Sequence, residues 1–323
     1  MPLFNTGAII RELRIAQGFT QEKLAEGICS RQTVVKLEKG ERRADWFVIR
    51  NIFIRLGVDP DNYYSELASE NDIYVLQRRD ECARYFNTAQ MDKFKDLVET
   101  LELDKRFLQG GRNGRGYMLL LRYKAYLYTK GPYKDFLKAL DYYKQVLSLT
   151  RPGFDMQQLP NYFLSYDEFL HVNGLANTYL AQDTKEGYTN ALEIYQHLKN
   201  NYDKNSVIHL QANNNNYLQA LGNIAECLVN LERYEECLPI ATESLLLATQ
   251  SGNVRLLHSN MHRKAWCLLH LNHEDEGREL LKKAFLLAYV LDGSTHITDD
   301  SINHHKKLYQ EKFGAPLDLS VPW

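Results

Sequence analysis

From residue 70 onward, apolar residues recur at intervals of three and four and strict alternation is absent, so the pattern predicts helices and no sheet. The first sixty residues show the same period. Ile9, Ile10 and Leu13 mark one helix that Gly18 stops, and Val48, Ile49, Ile52, Phe53 and Leu56 mark another ended by Gly57. Between them, Thr20 can cap a helix whose Leu24, Ala25 and Ile28 share a face. Ser30 can cap a second whose inward residues are Val34 and Leu37. Two short helices joined by the tight turn Gly27-Ile28-Cys29-Ser30, with a polar second helix, read as a helix-turn-helix. That motif makes double-stranded DNA the first partner to consider.

The rest of the chain predicts helices in pairs, each with a small residue followed by a large one on its packing face. The series runs through Ala83/Phe86, Ala125/Tyr128 with Ala139/Tyr143, and Ala176/Tyr179 with Ala191/Tyr195. It continues through Ala225/Leu228 with Cys237/Ala241, and Ala265/Leu268 with Gly277/Leu281. These units resemble degenerate tetratricopeptide (TPR) repeats with extended loops, about five of them, closed by a helix near Ser301 to Phe313. The expected fold is all-α: a helix-turn-helix bundle over residues 1–66, a right-handed TPR-like α-solenoid over 70–315 and a tail over 316–323.

Composition changes this picture little. The 323 residues are 44% hydrophobic and 25% charged, with a formal net charge of −2, which argues against coating nucleic acid by bulk electrostatics. The average conceals a local excess: between Arg31 and Arg43 five basic residues oppose only Glu38 and Glu41, where a DNA reading needs them. Five cysteines form no C-x-x-C pair, which fits a reducing cytoplasm. Apolar stretches such as Ala284 to Leu291 fall far short of the roughly 20 residues needed to span a bilayer, and no signal-peptide pattern opens the chain. A cytoplasmic location and no membrane partner are therefore expected.

The N-terminal string resembles the DNA-binding domains of lambda-repressor-like regulators of the xenobiotic-response-element type. It matches their elements through Leu13-Arg14, Thr20-Gln21-Glu22-Lys23-Leu24-Ala25 and Leu37-Glu38-Lys39-Gly40. The turn is shorter than in phage repressors, a form similar to the peptide-sensing RRNPP (Rgg/PlcR-like) regulators. In such a head, Gln21 would meet a phosphate, and Arg31 and Gln32 would reach base edges, Arg toward guanine and Gln toward adenine. Thr33 and Lys36 lie on the same side, and Lys39, Arg42 and Arg43 are placed for phosphates. The resemblance also implies an internal ion pair between Arg14 and Glu38.

A solenoid of helix pairs leaves the first helices of successive pairs lining a groove. With Ala176 as a packing position, Asn173 and Asn177 fall on the groove face one turn apart, and amides there can satisfy an extended peptide backbone. The same phase places Asp80, Arg84 and Asn87 in the first repeat, Arg122 and Tyr126 in the second, Gln219 and Glu226 in the fourth and His262 and Trp266 in the fifth. Asn216 and Asn223 join if the fourth helix is rotated slightly. The Gly110 to Gly116 run lacks a preceding strand and a nucleotide fingerprint, so it reads as an inter-repeat loop. His258 and His262 share a metal-compatible spacing without a third ligand, and no residue set has a catalytic pattern. No metal, cofactor or enzymatic activity is therefore expected.

The RRNPP resemblance implies a cytoplasmic quorum-sensing transcription regulator: a homodimer on operator DNA, controlled by a short signalling peptide in the TPR groove. The alternative is a TPR adaptor or anti-activator with a DNA-docking helix-turn-helix.

Overall fold

The computed structural model describes residues 6–41, 45–57, 70–204, 215–290, 306–307 and 309–314, and every regular element among them is helical. The first four helices are α1 (Thr6–Ala16), α2 (Gln21–Ala25), α3 (Arg31–Glu38) and α4 (Trp46–Arg55). Both expected caps form: Thr20 Oγ1 accepts from the Lys23 amide at 3.0 Å and Ser30 Oγ from the Thr33 amide at 3.1 Å. Ile10, Leu24, Val34, Leu37, Ile49, Ile52, Phe53 and Leu56 make the small core of this head, close to the set the periodicity predicts.

Gly7 holds a role that the sequence pattern did not reveal. It packs directly on the backbone of α3, where a Cβ would sit 1.9 Å from the Leu37 carbonyl oxygen. Only a residue without a side chain lets α1 cross the second motif helix this closely.

The repeats follow as α5 (Glu70–Asn87), α6 (Met91–Leu103), α7 (Arg115–Thr129), α8 (Phe136–Thr150) and α9 (Tyr166–Leu180). Then come α10 (Lys185–Lys204), α11 (Asn215–Asn230), α12 (Tyr234–Gln250), α13 (Val254–His270) and α14 (Glu274–Val290). The chain gathers into two compact units, one of residues 1–183 with 197–211 and the other of 184–196 with 212–323. No helix among the described residues is long and apolar enough to cross a membrane.

In the first unit, α7 packs between α6 and α8 in the manner of helical pairs, and α5, α7 and α9 are successive neighbours in one layer. The predicted small packing positions Ala125, Ala139 and Ala176 are fully buried. The first repeat departs by one residue: Ala83 is exposed and Cys82 is the buried small residue, so the phase of α5 is shifted by about 100°. The Gly110 to Gly116 run is also less irregular than expected, since Gly111–Asn113 form a 3-10 turn and Arg115 already begins α7.

In the second unit, α11 packs on α12 and α13, and α13 packs on α14. Ala225, Cys237, Ala241, Ala265 and Leu281 occupy the buried positions assigned to them. Of the expected closing segment, the described residues 306–307 and 309–313 are helical, and Tyr309 with Phe313 packs against Ala265, Trp266 and Phe285.

Candidate DNA interface and ligand groove

Serine at position 30 ends the turn and starts α3, so Arg31 and Gln32 occupy the first turn of the second motif helix, both exposed. Lys36 and Lys39 are also exposed, and Lys39 makes a long ion pair of 3.8 Å with Glu41. Thr33 is half-buried and its hydroxyl lies 2.9 Å from that of Ser30, so it shares in the cap. Arg42 and Arg43 lie outside the described residues.

Behind this face sits a built polar cluster. Arg14 Nε donates to Glu38 Oε1 at 2.5 Å and its Nη2 to Oε2 at 3.0 Å, while Nη1 donates to the Phe19 carbonyl at 2.9 Å. This is the ion pair that the resemblance implied, tying α1 to α3. Gln21 Nε2 donates to the same Glu38 at 2.8 Å, which gives that amide an internal partner beside any phosphate role. Burial would raise the Glu38 pKa, but the bonds from Arg14 and Gln21 outweigh it and hold the carboxylate below its ordinary range. The pair ties α1 to α3.

The head does not stand apart from the first repeats. Trp46 and Phe47 at the start of α4 are 1% and 4% exposed because they enter the core made with Val75, Leu76, Phe94, Phe107, Leu119 and Tyr123. Burying Phe47 alone stabilises this arrangement by on the order of 2 kcal/mol. Two charged clusters complete the contact. In one, Asp167, at the start of α9, accepts both Arg115 terminal nitrogens and Asn51 Nδ2, the last at 2.8 Å. Arg115 also lies 4.2 Å over the Phe47 ring. Burial pushes the Asp167 carboxyl up, yet the Arg115 charge and hydrogen bonds overcome this and hold it well below the usual carboxylate range.

The second cluster surrounds the short turn. Arg55 Nη1 donates to the carbonyls of Leu24 at 3.0 Å and Glu26 at 2.5 Å, closing the C-terminus of α2 with a positive charge. Its guanidinium stacks 4.3 Å from the Phe163 ring centre, and burial pulls its pKa down to about 10. Arg151 reaches Glu168 Oε1 at 3.1 Å, Glu26 Oε1 at 3.5 Å and the Phe163 carbonyl at 3.2 Å. Gly27, with φ of +69°, has no room for a Cβ, which would lie 2.0 Å from the Glu168 carboxylate. The short turn is thus built to meet α9. Arg31 and Gln32 remain exposed at the start of α3 in this arrangement.

The candidate groove residues divide between the two units. In the first, Asp80, Arg84 and Asn87 are exposed on α5; Asp80 pairs with Arg79 at 2.9 Å and Arg84 lies over Tyr85. Tyr126 is half-buried and stacks on Phe86 at 5.0 Å while tilting against Tyr143, so it packs between helices. Arg122 and Asn173 are 7% and 6% exposed, and Asn177 is half-buried. His171, which the groove phase omitted, is 2% exposed on the same helix as Asn173. Arg122 Nε, Asn173 Oδ1 and His171 Nδ1 are buried without a hydrogen-bond partner among the described residues.

In the second unit Gln219 is exposed, Asn223 Nδ2 donates to the Tyr195 hydroxyl at 3.0 Å, and the Asn216 side chain lies outside the described residues. Glu226 accepts from Arg263 Nε at 2.6 Å. Burial pushes the Glu226 pKa up, but the Arg263 charge and bond prevail and lower it. His262 stacks on Trp266 at 5.8 Å, and Trp266 meets Phe313 edge-on. Arg263 and Asn260 were not singled out by spacing; Asn260 is 1% exposed and links Ser244 of α12 to Arg263. Trp266 also lines a pocket of about 380 Å³ with Tyr234, His270, Glu232, Glu311 and Lys312.

Residues 10–62 match the HTH_3 helix-turn-helix family. The fold is similar to that of PlcR from Bacillus thuringiensis, solved with the peptide PapR7 and DNA. The TM-score is 0.56 at 19% identity, over 89% of this chain and 95% of that one. ComR from S. thermophilus, solved with DNA and its signalling peptide ComS, superposes with a TM-score of 0.46 at 14% identity, over 96% of this chain and 100% of that one. The SHP pheromone receptor Rgg2 of Streptococcus dysgalactiae gives 0.42 at 13% identity, over 94% and 99%. The curated proteins contain no match. At these identities the PlcR likeness is one of fold: a helix-turn-helix followed by TPR-like repeats.

Proposed function

We propose that this chain is a transcription regulator that reads operator DNA through α3 as a homodimer and is controlled by a short signalling peptide held by its repeats. The observation that carries the reading is the double use of α9. At its start, Asp167 and Glu168 grip the head through Asn51, Arg115 and Arg151. One to nearly three turns further on it presents His171, Asn173 and Asn177, of which the first two hold buried polar atoms without partners among the described residues.

A ligand that bonds differently to two arrangements of this helix would shift the head between them, which is the thermodynamic requirement for control. In the DNA complex, Arg31 and Gln32 would read base edges and Lys36, Lys39, Arg42 and Arg43 would meet phosphates. Two heads spaced about 34 Å apart match one helical turn of a roughly palindromic site. Asp80, Arg84, Asn87, Arg122, Asn173 and Asn177 form the peptide contacts proposed for the first unit. Asn216, Gln219, Asn223, Glu226, His262 and Trp266 are those proposed for the second.

The test is selection of binding sites from random duplex DNA, followed by footprinting on the enriched sequence. Wild type should protect a two-half-site element, and Arg31→Ala with Gln32→Ala should abolish specific protection while retaining the fold. Equal protection by the double variant would remove these residues from base readout. Repeating the footprint with synthetic peptides from small reading frames flanking the gene tests control. A groove that captures a folded protein and no peptide would favour the adaptor reading.

A further inference from the structure

Arg122 lies near the middle of α7, and its neighbours α5 and α9 complete the inner layer of the first unit. Arginine keeps its charge at any pH the protein meets, so burying it is costly unless a counter-charge is hydrogen-bonded to it. Here that counter-charge is missing from the described residues. Burial disfavours the guanidinium's charge, and Tyr126, Tyr123 and Asp167 around it favour it, but Asp167 already spends both oxygens on Arg115 and Asn51, which leaves Arg122 no carboxylate of its own among the described residues. Arg55, Arg115 and Arg151 each hold at least one fixed partner: Arg55 has carbonyls, Arg115 has Asp167, and Arg151 has Glu168 and Glu26.

The surroundings are polar and equally unfinished. His171, buried beside Arg122, stays neutral because burial and the Arg122 charge both disfavour its protonation. Its Nδ1 and Asn173 Oδ1 have no hydrogen-bond partner among the described residues. A neutral ligand would leave the cation uncompensated, and a second cation would be repelled. A carboxylate matches the guanidinium fork, with Asn173 free to supply an amide donor.

We propose that Arg122 is a receptor for a single carboxylate of the ligand, either the C-terminal carboxylate of a peptide or an Asp or Glu side chain within it. This rests on the peptide reading above and narrows it to peptides that place an anionic group against α7 and α9.

The experiment is affinity selection of a synthetic random heptapeptide library by the full chain, with bound peptides sequenced by mass spectrometry. It is run with free-acid and C-terminally amidated libraries. Wild type should retain peptides sharing a carboxylate at one fixed place. Loss of enrichment in the amidated library assigns it to the C-terminus, and an invariant Asp or Glu in both libraries assigns it to a side chain. For a retained peptide, Arg122→Met should weaken binding about 100-fold, as expected for truncating one partner of a buried charge pair. Arg122→Lys should recover part of that loss.

Selected peptides with no carboxylate in common, or equal binding by Arg122→Met, would overturn the carboxylate assignment while leaving peptide control standing. Retention of no peptide by wild type would overturn both. A second measurement covers folding: without ligand, Arg122→Met should melt at or above the wild-type temperature, since it removes a buried charge that has no carboxylate partner of its own. A drop of several degrees would show that the charge is already satisfied and refute the proposal.

Discussion

Replacing Arg115 by methionine removes the one cation that, among the described residues, is hydrogen-bonded to a carboxylate that is 4% exposed. Asp167 would then keep one neutral donor, Asn51 Nδ2 at 2.8 Å, and two cations at longer range, Arg50 and Arg122. Breaking one side of a buried ion pair costs about 3–5 kcal/mol, because the remaining charge stays desolvated. Loss of the guanidinium from its seat 4.2 Å over the Phe47 ring adds to this. For a unit of this size each kcal/mol moves the melting temperature by about 2–4 °C, so a fall of roughly 10 °C is expected.

Two units need not unfold together, so a local reporter is required. Hydrogen exchange followed by mass spectrometry supplies it: amides of α4 should lose protection while those of α13 keep theirs. Arg115→Met with Asp167→Leu removes both charges at once and should recover most of the stability. A melting temperature within about 2 °C of wild type for Arg115→Met, with unchanged exchange in α4, would refute the assignment of this pair as the head's clamp.

Gly7→Ala should destabilise the head by about 2–3 kcal/mol and weaken DNA binding together with stability, because its methyl cannot fit against the Leu37 carbonyl; unchanged urea unfolding would refute it. Glu38→Gln should loosen α3 and lower DNA affinity without changing which sequence is selected, as measured by titration on the enriched site and a mismatched one. His171 has its pKa pushed down to about 3, against about 6.5 in an unfolded chain. Between pH 6.5 and 5 the unfolded state takes up a proton at this residue that the native state refuses, so stability falls with falling pH by about 1 kcal/mol per unit. His171→Gln should flatten that slope in urea titrations at pH 7, 6 and 5, and an identical slope would show that His171 is not the group responsible.

The head was readable because its signals are local. Thr20 and Ser30 cap within three residues of themselves, Gly18 and Gly57 stop helices by their own φ, and the period of Leu24, Val34 and Ile52 marks a core face. The repeats were readable where a small residue stands out, as at Ala125, Ala176 and Ala225. They were misread at Ala83, where buried Cys82 is the equivalent small residue one place earlier.

The candidate site was legible only in part. Asn173 stood out because asparagine inside a helix needs a reason to be there. Tyr126 carried no sign of its stacking on Phe86, since a tyrosine suits a groove or a core equally well.

The sequence by itself determined which segments are helical, that a helix-turn-helix precedes paired repeats, and which side of α3 is polar, because each follows from side chains three or four residues apart. Only the tertiary structure decided that Asn51 meets Asp167 across 116 positions, that Gly7 touches Leu37, and that Arg122 is buried with no carboxylate of its own among the described residues. Those contacts depend on which helices lie side by side, and local spacing carries no record of a neighbour supplied from a distant part of the chain.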